Sequence, residues 1–159
     1  MSIENNPLLN EAGNKYNSVP FSKIKAEHFI PALNHSIEQA KKIIDSIADS
    51  NNPTFENTVV AFENAFDDIE HIVTVYYHYF ASIADDSIRA LVSEISNINT
   101  KFNNDIYLNE NLFKNIKSIY EDRDNLNLDS DDNRLLEELF NSFIRSGANL
   151  SSTDKNQYR

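Results

Sequence analysis

Residues 54–83, TFENTVVAFENAFDDIEHIVTVYYHYFASI, decide the fold of this chain. Asn52-Pro53 punctuates the chain just before them, and Thr54 is a good N-cap because its hydroxyl can accept from an orphan amide of the first turn. Glu56 then places a negative charge at the positive end of the helix dipole. Neither Gly nor Pro occurs from there to Ile83. Val59, Phe62, Phe66, Ile69, Val73, Tyr76, Phe80 and Ile83 recur at steps of three or four, which sets them on one stripe of a helix. At 1.5 Å per residue such a helix is about 42 Å long. A stripe of that length must be buried, and the other helices are expected to bury it.

Working outward, each flank offers more helix. Phe29, Leu33, Ile37, Ala40, Ile44 and Ile47 form a stripe over 26–48. Pro31 falls near its start. It either kinks this helix or opens it, with 26–30 as a separate turn, and the second option costs less because a first-turn amide has no partner to lose. Beyond the central stretch, Asp85-Asp86-Ser87 offers a cap for a helix to about Asn104, with Ile88, Leu91, Val92, Ile95, Ile98 and Phe102 inward. Ile106-Tyr107-Leu108 is a short apolar run. Asn109 caps a fourth helix with Leu112, Phe113, Ile116, Ile119 and Tyr120 on one face. After a loop over 122–129, Asp129 or Ser130 caps a fifth, with Leu135, Leu136, Leu139, Phe140, Phe143 and Ile144 inward. Arg145 suits its C-terminal dipole, and Gly147 is a natural residue just past its end. Ser151 or Ser152 signals the start of a sixth helix, and the last residues read either as a frayed tail or as that helix cut off. The expected fold is therefore all-α: about five amphipathic helices around a long central helix (54–83), preceded by an extended arm (1–20) that Leu8, Leu9, Val19 and Phe21 can pin to a surface.

Composition narrows the function. The 159 residues suit one domain, and four prolines with two glycines argue against an all-β chain. There is no cysteine, which removes disulfides and thiolate metal sites. The formal charge of −11 disfavours nucleic acid and anionic membrane surfaces as partners. No apolar run approaches the length needed to span a bilayer. Residues 1–16 lack a basic region followed by an apolar core, so a cytoplasmic location is expected.

Few residues carry visible chemistry. The histidines are His28, His35, His71 and His78. His71 and His78 share a helical face, and Asp67 lies four residues before His71. A zinc site on one helix needs ligands four apart, and a di-iron bundle needs Glu-x-x-His on two helices with two further glutamates. The nearest match is one Asp68-x-x-His71, so surface histidines are the simpler reading. The run Tyr76-Tyr77-His78-Tyr79-Phe80 covers every face of the central helix. It suits either a binding wall or a helix buried on several sides. The acidic clusters Asp67-Asp68, Asp85-Asp86 and 129–132 lack calcium-loop spacing and read as caps and solvated faces. There is no phosphate-binding glycine loop and no Gly-x-Ser-x-Gly. No catalytic, cofactor-binding or metal-ligating residue is assigned.

Several stretches together resemble one family. Phe21-Ser-Lys-Ile-Lys-Ala-Glu-His-Phe-Ile-Pro-Ala32 is similar to the entry segment of the thimet-oligopeptidase-like zinc metallopeptidases, and Pro53-Thr-Phe-Glu-Asn-Thr58 to the start of their second helix. Asn104-Asp-Ile-Tyr-Leu-Asn109 with Leu112-Phe113, and Arg145-Ser-Gly-Ala-Asn-Leu150, resemble the bacterial peptidyl-dipeptidase branch. The resemblance implies that residues 21–159 are the N-terminal helical segment of a much longer, cytoplasmic enzyme. It implies zinc in the full-length parent, held by a His-Glu-x-x-His helix beyond this chain, and none here. It further implies short peptides as the parent's substrates, released as C-terminal dipeptides, and the missing C-terminal catalytic region as partner, with this segment as channel wall. No family ligand has a counterpart in this sequence, which contains no His-Glu-x-x-His. The alternative is a free-standing acidic helical interaction module.

Overall fold

The computed structural model describes residues 3–10, 18–82 and 85–150. Among them the fold is all-α, with no strand. The helices are α1 (Ala26–Ala48), α2 (Ala61–Asn64), α3 (Asp67–Ser82), α4 (Asp86–Ala90), α5 (Val92–Tyr107), α6 (Glu110–Glu121) and α7 (Ser130–Arg145). The region of the expected sixth helix, 151–159, lies outside the described residues. The chain divides into two compact units, Met1–Ala40 with Phe66–Asn99, and Lys41–Ala65 with Thr100–Arg159.

The stretch 55–82 is helical apart from a turn at 65–66, but not as one α-helix. Thr54 caps it as expected, and the reciprocal partner is Asn57. The Asn57 amide donates to Thr54 Oγ1 at 3.2 Å and the Thr54 amide donates to Asn57 Oδ1 at 2.8 Å. A π-helical segment, Phe55–Val60, comes next, and the Ala61 amide closes on the Glu56 carbonyl five residues back. After α2, a turn at 65–66 precedes α3. A π turn holds more residues than an α turn, so the buried stripe departs from a uniform 3.6 period. The residues at most 7% exposed are Phe55, Thr58, Val59, Phe62, Ala65, Ile69, Ile72, Val75, Tyr76 and Tyr79, whereas Phe66, Val73 and Phe80 are half-buried.

In the first unit, α1 begins at Ala26 and runs through Pro31 without a separate turn. The cheaper sequence option is therefore wrong. Pro31 forfeits an amide bond to the Glu27 carbonyl, but Phe29, Ala32 and Leu33 around it are 0% exposed. Fully burying two such large side chains is worth about 1.5–3 kcal/mol each, more than one net hydrogen bond. The helix start is also fastened by side chains. His28 Nδ1 accepts from the Lys25 amide at 3.0 Å, and buried Asn6 donates from Nδ2 to the His28 carbonyl at 2.9 Å. Asn6 Oδ1 accepts from the Leu8 amide, which closes a turn after the 3-10 turn Ile3–Asn5 and presents Leu8 to the interior. All six residues of the expected α1 stripe are buried.

The second unit is built on the end of α1, residues 55–64, the second half of α5, α6 and α7. Helix α5 continues past Asn104 to Tyr107, so Ile106 belongs to its buried face rather than to a separate run. Asn109 and Asp129 cap α6 and α7 as expected. Helix α7 ends in a Schellman motif: the Ala148 amide donates to the Phe143 carbonyl and the Gly147 amide to the Ile144 carbonyl. Gly147 has φ +89°, and an added Cβ would lie 2.8 Å from Leu150 Cδ1. The aromatic core gathers Phe62, Tyr107 and Phe113 around fully buried Phe143, with ring centroids 4.9–5.9 Å away.

Buried Asn115 on α6 closes the open end of α1. Its Nδ2 lies 2.9, 3.3 and 3.2 Å from the carbonyl oxygens of Ile47, Ala48 and Ser50. Replacing it by alanine leaves these acceptors without that donor and is expected to cost about 1–3 kcal/mol. Asn115→Asp should cost more, because a carboxylate would face three carbonyl oxygens. Urea unfolding midpoints followed by circular dichroism check both.

Candidate functional site

The candidate site lies at the C-terminal end of α3, in the first unit. Tyr76 is wholly buried, and its hydroxyl donates to the Ile88 carbonyl at 3.0 Å. Phe29 meets Tyr76 and Tyr79 edge-on, with centroids 5.4 and 5.8 Å away. The Tyr79 hydroxyl donates to the Phe21 carbonyl, and the Phe21 ring lies 5.6 Å from that of Tyr79. This pairing holds the turn Phe21–Lys23 against α3 and leaves Phe21 47% exposed. Burial pushes both phenols above the ordinary tyrosine range, and for Tyr76 the neighbouring Tyr77 adds to the shift. They act as neutral hydrogen-bond donors.

Two concavities flank Tyr79. One, of about 260 Å³, is lined by Phe21, His78, Tyr79 and Ser82. The other, of about 580 Å³, is lined by Ile24, Lys25, Glu27, Tyr79, Asp85 and Ile88, among others. Their walls combine aromatic faces, one imidazole and a few charges. In the larger, the Ser87 hydroxyl is bonded to the Asp85 carboxylate.

The aromatic run thus divides by role. Tyr76 and Tyr79 face the interior, Phe80 is half-buried, and Tyr77 and His78 face solvent. His71 is exposed too, as are Asp67 and Asp68. No group of three His, Asp or Glu among the described residues is placed to hold a metal ion. His28, to which the sequence alone assigns no role, fastens the start of α1. No helix among the described residues is long and apolar enough to cross a membrane.

The acidic cluster at 85–86 includes a helix cap. Asp85 Oδ1 accepts from the Ser87 hydroxyl at 2.6 Å and from the Ile88 amide at 3.0 Å. The Ser87 hydroxyl, then the Ile88 amide, hold its carboxyl below the ordinary range. A depressed folded-state value favours the fold above the ordinary carboxylate range, and that contribution is lost as pH falls through the depressed value. Asp85→Asn is expected to flatten the pH dependence of the urea midpoint below about pH 5. An unchanged profile would deny this cap a share in acid unfolding.

The geometry describes an all-α segment with an aromatic-walled surface and no cluster of metal-ligating side chains among its described residues. No family model matches the chain. It is homologous to two dipeptidyl carboxypeptidases. It is 30% identical to that of Escherichia coli over 94% of this chain and 22% of the relative, and 29% identical to that of Salmonella typhimurium over 96% and 23%. The similarity is consistent with an N-terminal segment of such a protein and makes this a peptidase-related segment. The chain spans less than a quarter of the length of these relatives.

Proposed function

We propose that this chain is the N-terminal helical segment of a zinc-dependent peptidase that removes dipeptides from the C-termini of short peptides. In this reading the segment forms part of the wall around the substrate channel, and catalysis belongs to a region outside it. The observation that carries the proposal is the extent of the similarity, which runs along 94% of the chain yet covers 22% of a relative called a dipeptidyl carboxypeptidase. The described residues do not fit a zinc site: His71 and His78 sit seven apart on an exposed face, with no third donor grouped beside them. No step of metal chemistry is therefore assigned to this chain. It offers helical scaffold to that wall.

The test uses peptides with free C-termini and measures dipeptide release by mass spectrometry. Residues 1–159 alone are expected to release none, with or without zinc. The product of the complete reading frame is expected to release dipeptides and to stop when zinc is chelated. Equal, contaminant-free release by residues 1–159 would sink the reading.

A further inference from the structure

We propose that the exposed face of α3 formed by Thr74, Tyr77, His78, Ala81 and Ser82, with the Phe21 ring beside it, is the docking surface for the part of the same polypeptide beyond Arg159. The inference rests on the proposed function and adds which surface receives the rest of the protein. Its first support is a gap in charge. A quarter of the chain is Asp, Glu, Lys or Arg, yet none occurs between Glu70 and Asp85. Burial explains this for Ile72, Val75, Tyr76 and Tyr79, but not for the six residues that face solvent, His71 and the five of the patch. The outer face of α1, by contrast, carries Glu38, Lys41, Lys42 and Asp45, and that of α7 carries Arg134, Glu137 and Glu138.

Spacing makes these five residues one patch. Steps of three and four from Thr74 to Ser82 put neighbours side by side on the helix. Tyr77 is 48% exposed and Phe21 47%. Between Phe21, His78 and Ser82 lies the 260 Å³ concavity, large enough for a side chain of an incoming surface. Depletion of charge with enrichment of tyrosine and phenylalanine marks the centre of protein interfaces. Length and charge select the occupant. More than three-quarters of each relative has no counterpart in these residues. A second copy would bring a second chain of charge −11 against the first. The fitting partner surface is uncharged, with apolar groups for Phe21 and Tyr77 and hydrogen-bonding groups for Thr74, His78 and Ser82.

The test places Tyr77→Cys in the product of the complete reading frame, since residues 1–159 contain no cysteine of their own. Maleimide labelling of the tryptic peptide ending at Arg89 is timed in the native protein and in denaturing urea. Labelling in the native protein is expected to be at least about tenfold slower, because a docked surface excludes water from the interface centre. Carbethoxylation of His78 in the unsubstituted protein gives the same comparison without a mutation. Native rates close to the unfolded rates at both positions would overturn the inference, while dipeptide release by the same protein would leave the proposed function standing. Protection that appears only as protein concentration rises would assign the face to a second copy and overturn it too. A reading frame that closes after Arg159 would overturn both.

Discussion

Replacing Phe143 by alanine is expected to lower the stability of the chain by about 3–5 kcal/mol, the range for emptying a buried phenylalanine site. Phe143 is 0% exposed on α7. Its ring is packed against Phe62, Tyr107 and Phe113, which arrive from α2, α5 and α6. No single helix movement can fill the space, because each of these neighbours is held by its own helix. The Phe143 carbonyl also accepts the Ala148 amide that closes the end of α7. A shift of the α7 backbone into the cavity would therefore disturb the turn at Gly147. Phe143→Leu keeps most of the volume and should cost clearly less. Urea unfolding followed by circular dichroism orders the three proteins. An alanine variant within about 1 kcal/mol of the parent would mean that this core collapses freely, contrary to the packing described.

Replacing Tyr76 by alanine is expected to cost a similar amount, about 3–5 kcal/mol, in the other unit. Tyr76 is the largest of the fully buried side chains, and Phe29 meets it edge-on. Tyr76→Phe separates its two contributions. The ring stays, but the hydroxyl bond to the Ile88 carbonyl is lost, at about 0.5–1.5 kcal/mol. The Leu91 amide still reaches that carbonyl at 3.2 Å, which keeps the loss at the lower end. The phenol adds an alkaline signature. Burial, and then Tyr77, raise its folded-state value, so the unfolded chain gives up the proton first. The contribution of Tyr76 is complete below the ordinary tyrosine value and is lost as pH rises through the raised one. Tyr76→Phe should remove this share of alkaline destabilisation.

How much of this is legible in the sequence depends on the range of each signal. The α1 stripe is legible residue for residue, because Phe29 to Ile47 alternate with charged and polar residues that leave one choice of face. The caps at Thr54, Asp85, Asn109 and Asp129 are legible for the same local reason: a side-chain oxygen reaches amides two or three residues ahead. The face of α3 is only half legible. Ile72, Val73, Val75, Tyr76, Tyr79 and Phe80 are all apolar or aromatic, so periodicity fits two adjacent stripes equally well. The π-helical segment at 55–60 leaves no mark that a period of 3.6 can detect. Pro31 misleads because its cost is local and visible, while the burial of Phe29, Ala32 and Leu33 that offsets it is tertiary. Asn115 looks like a polar gap in an apolar stripe, since its three acceptors at the end of α1 lie 65 to 68 residues away in sequence. The candidate site is legible as an unusual run at 76–80, but not its division into Tyr76 and Tyr79 inside and Tyr77 and His78 outside.

The most direct measurement is the nucleotide sequence beyond the codon for Arg159. The account predicts an open frame that continues for several hundred codons, on the scale set by relatives of which this chain covers 22–23%, and that encodes His-Glu-x-x-His. A stop codon directly after Arg159 would contradict it. The 159 residues would then be a product in their own right, and their likeness to peptidases would describe descent rather than activity.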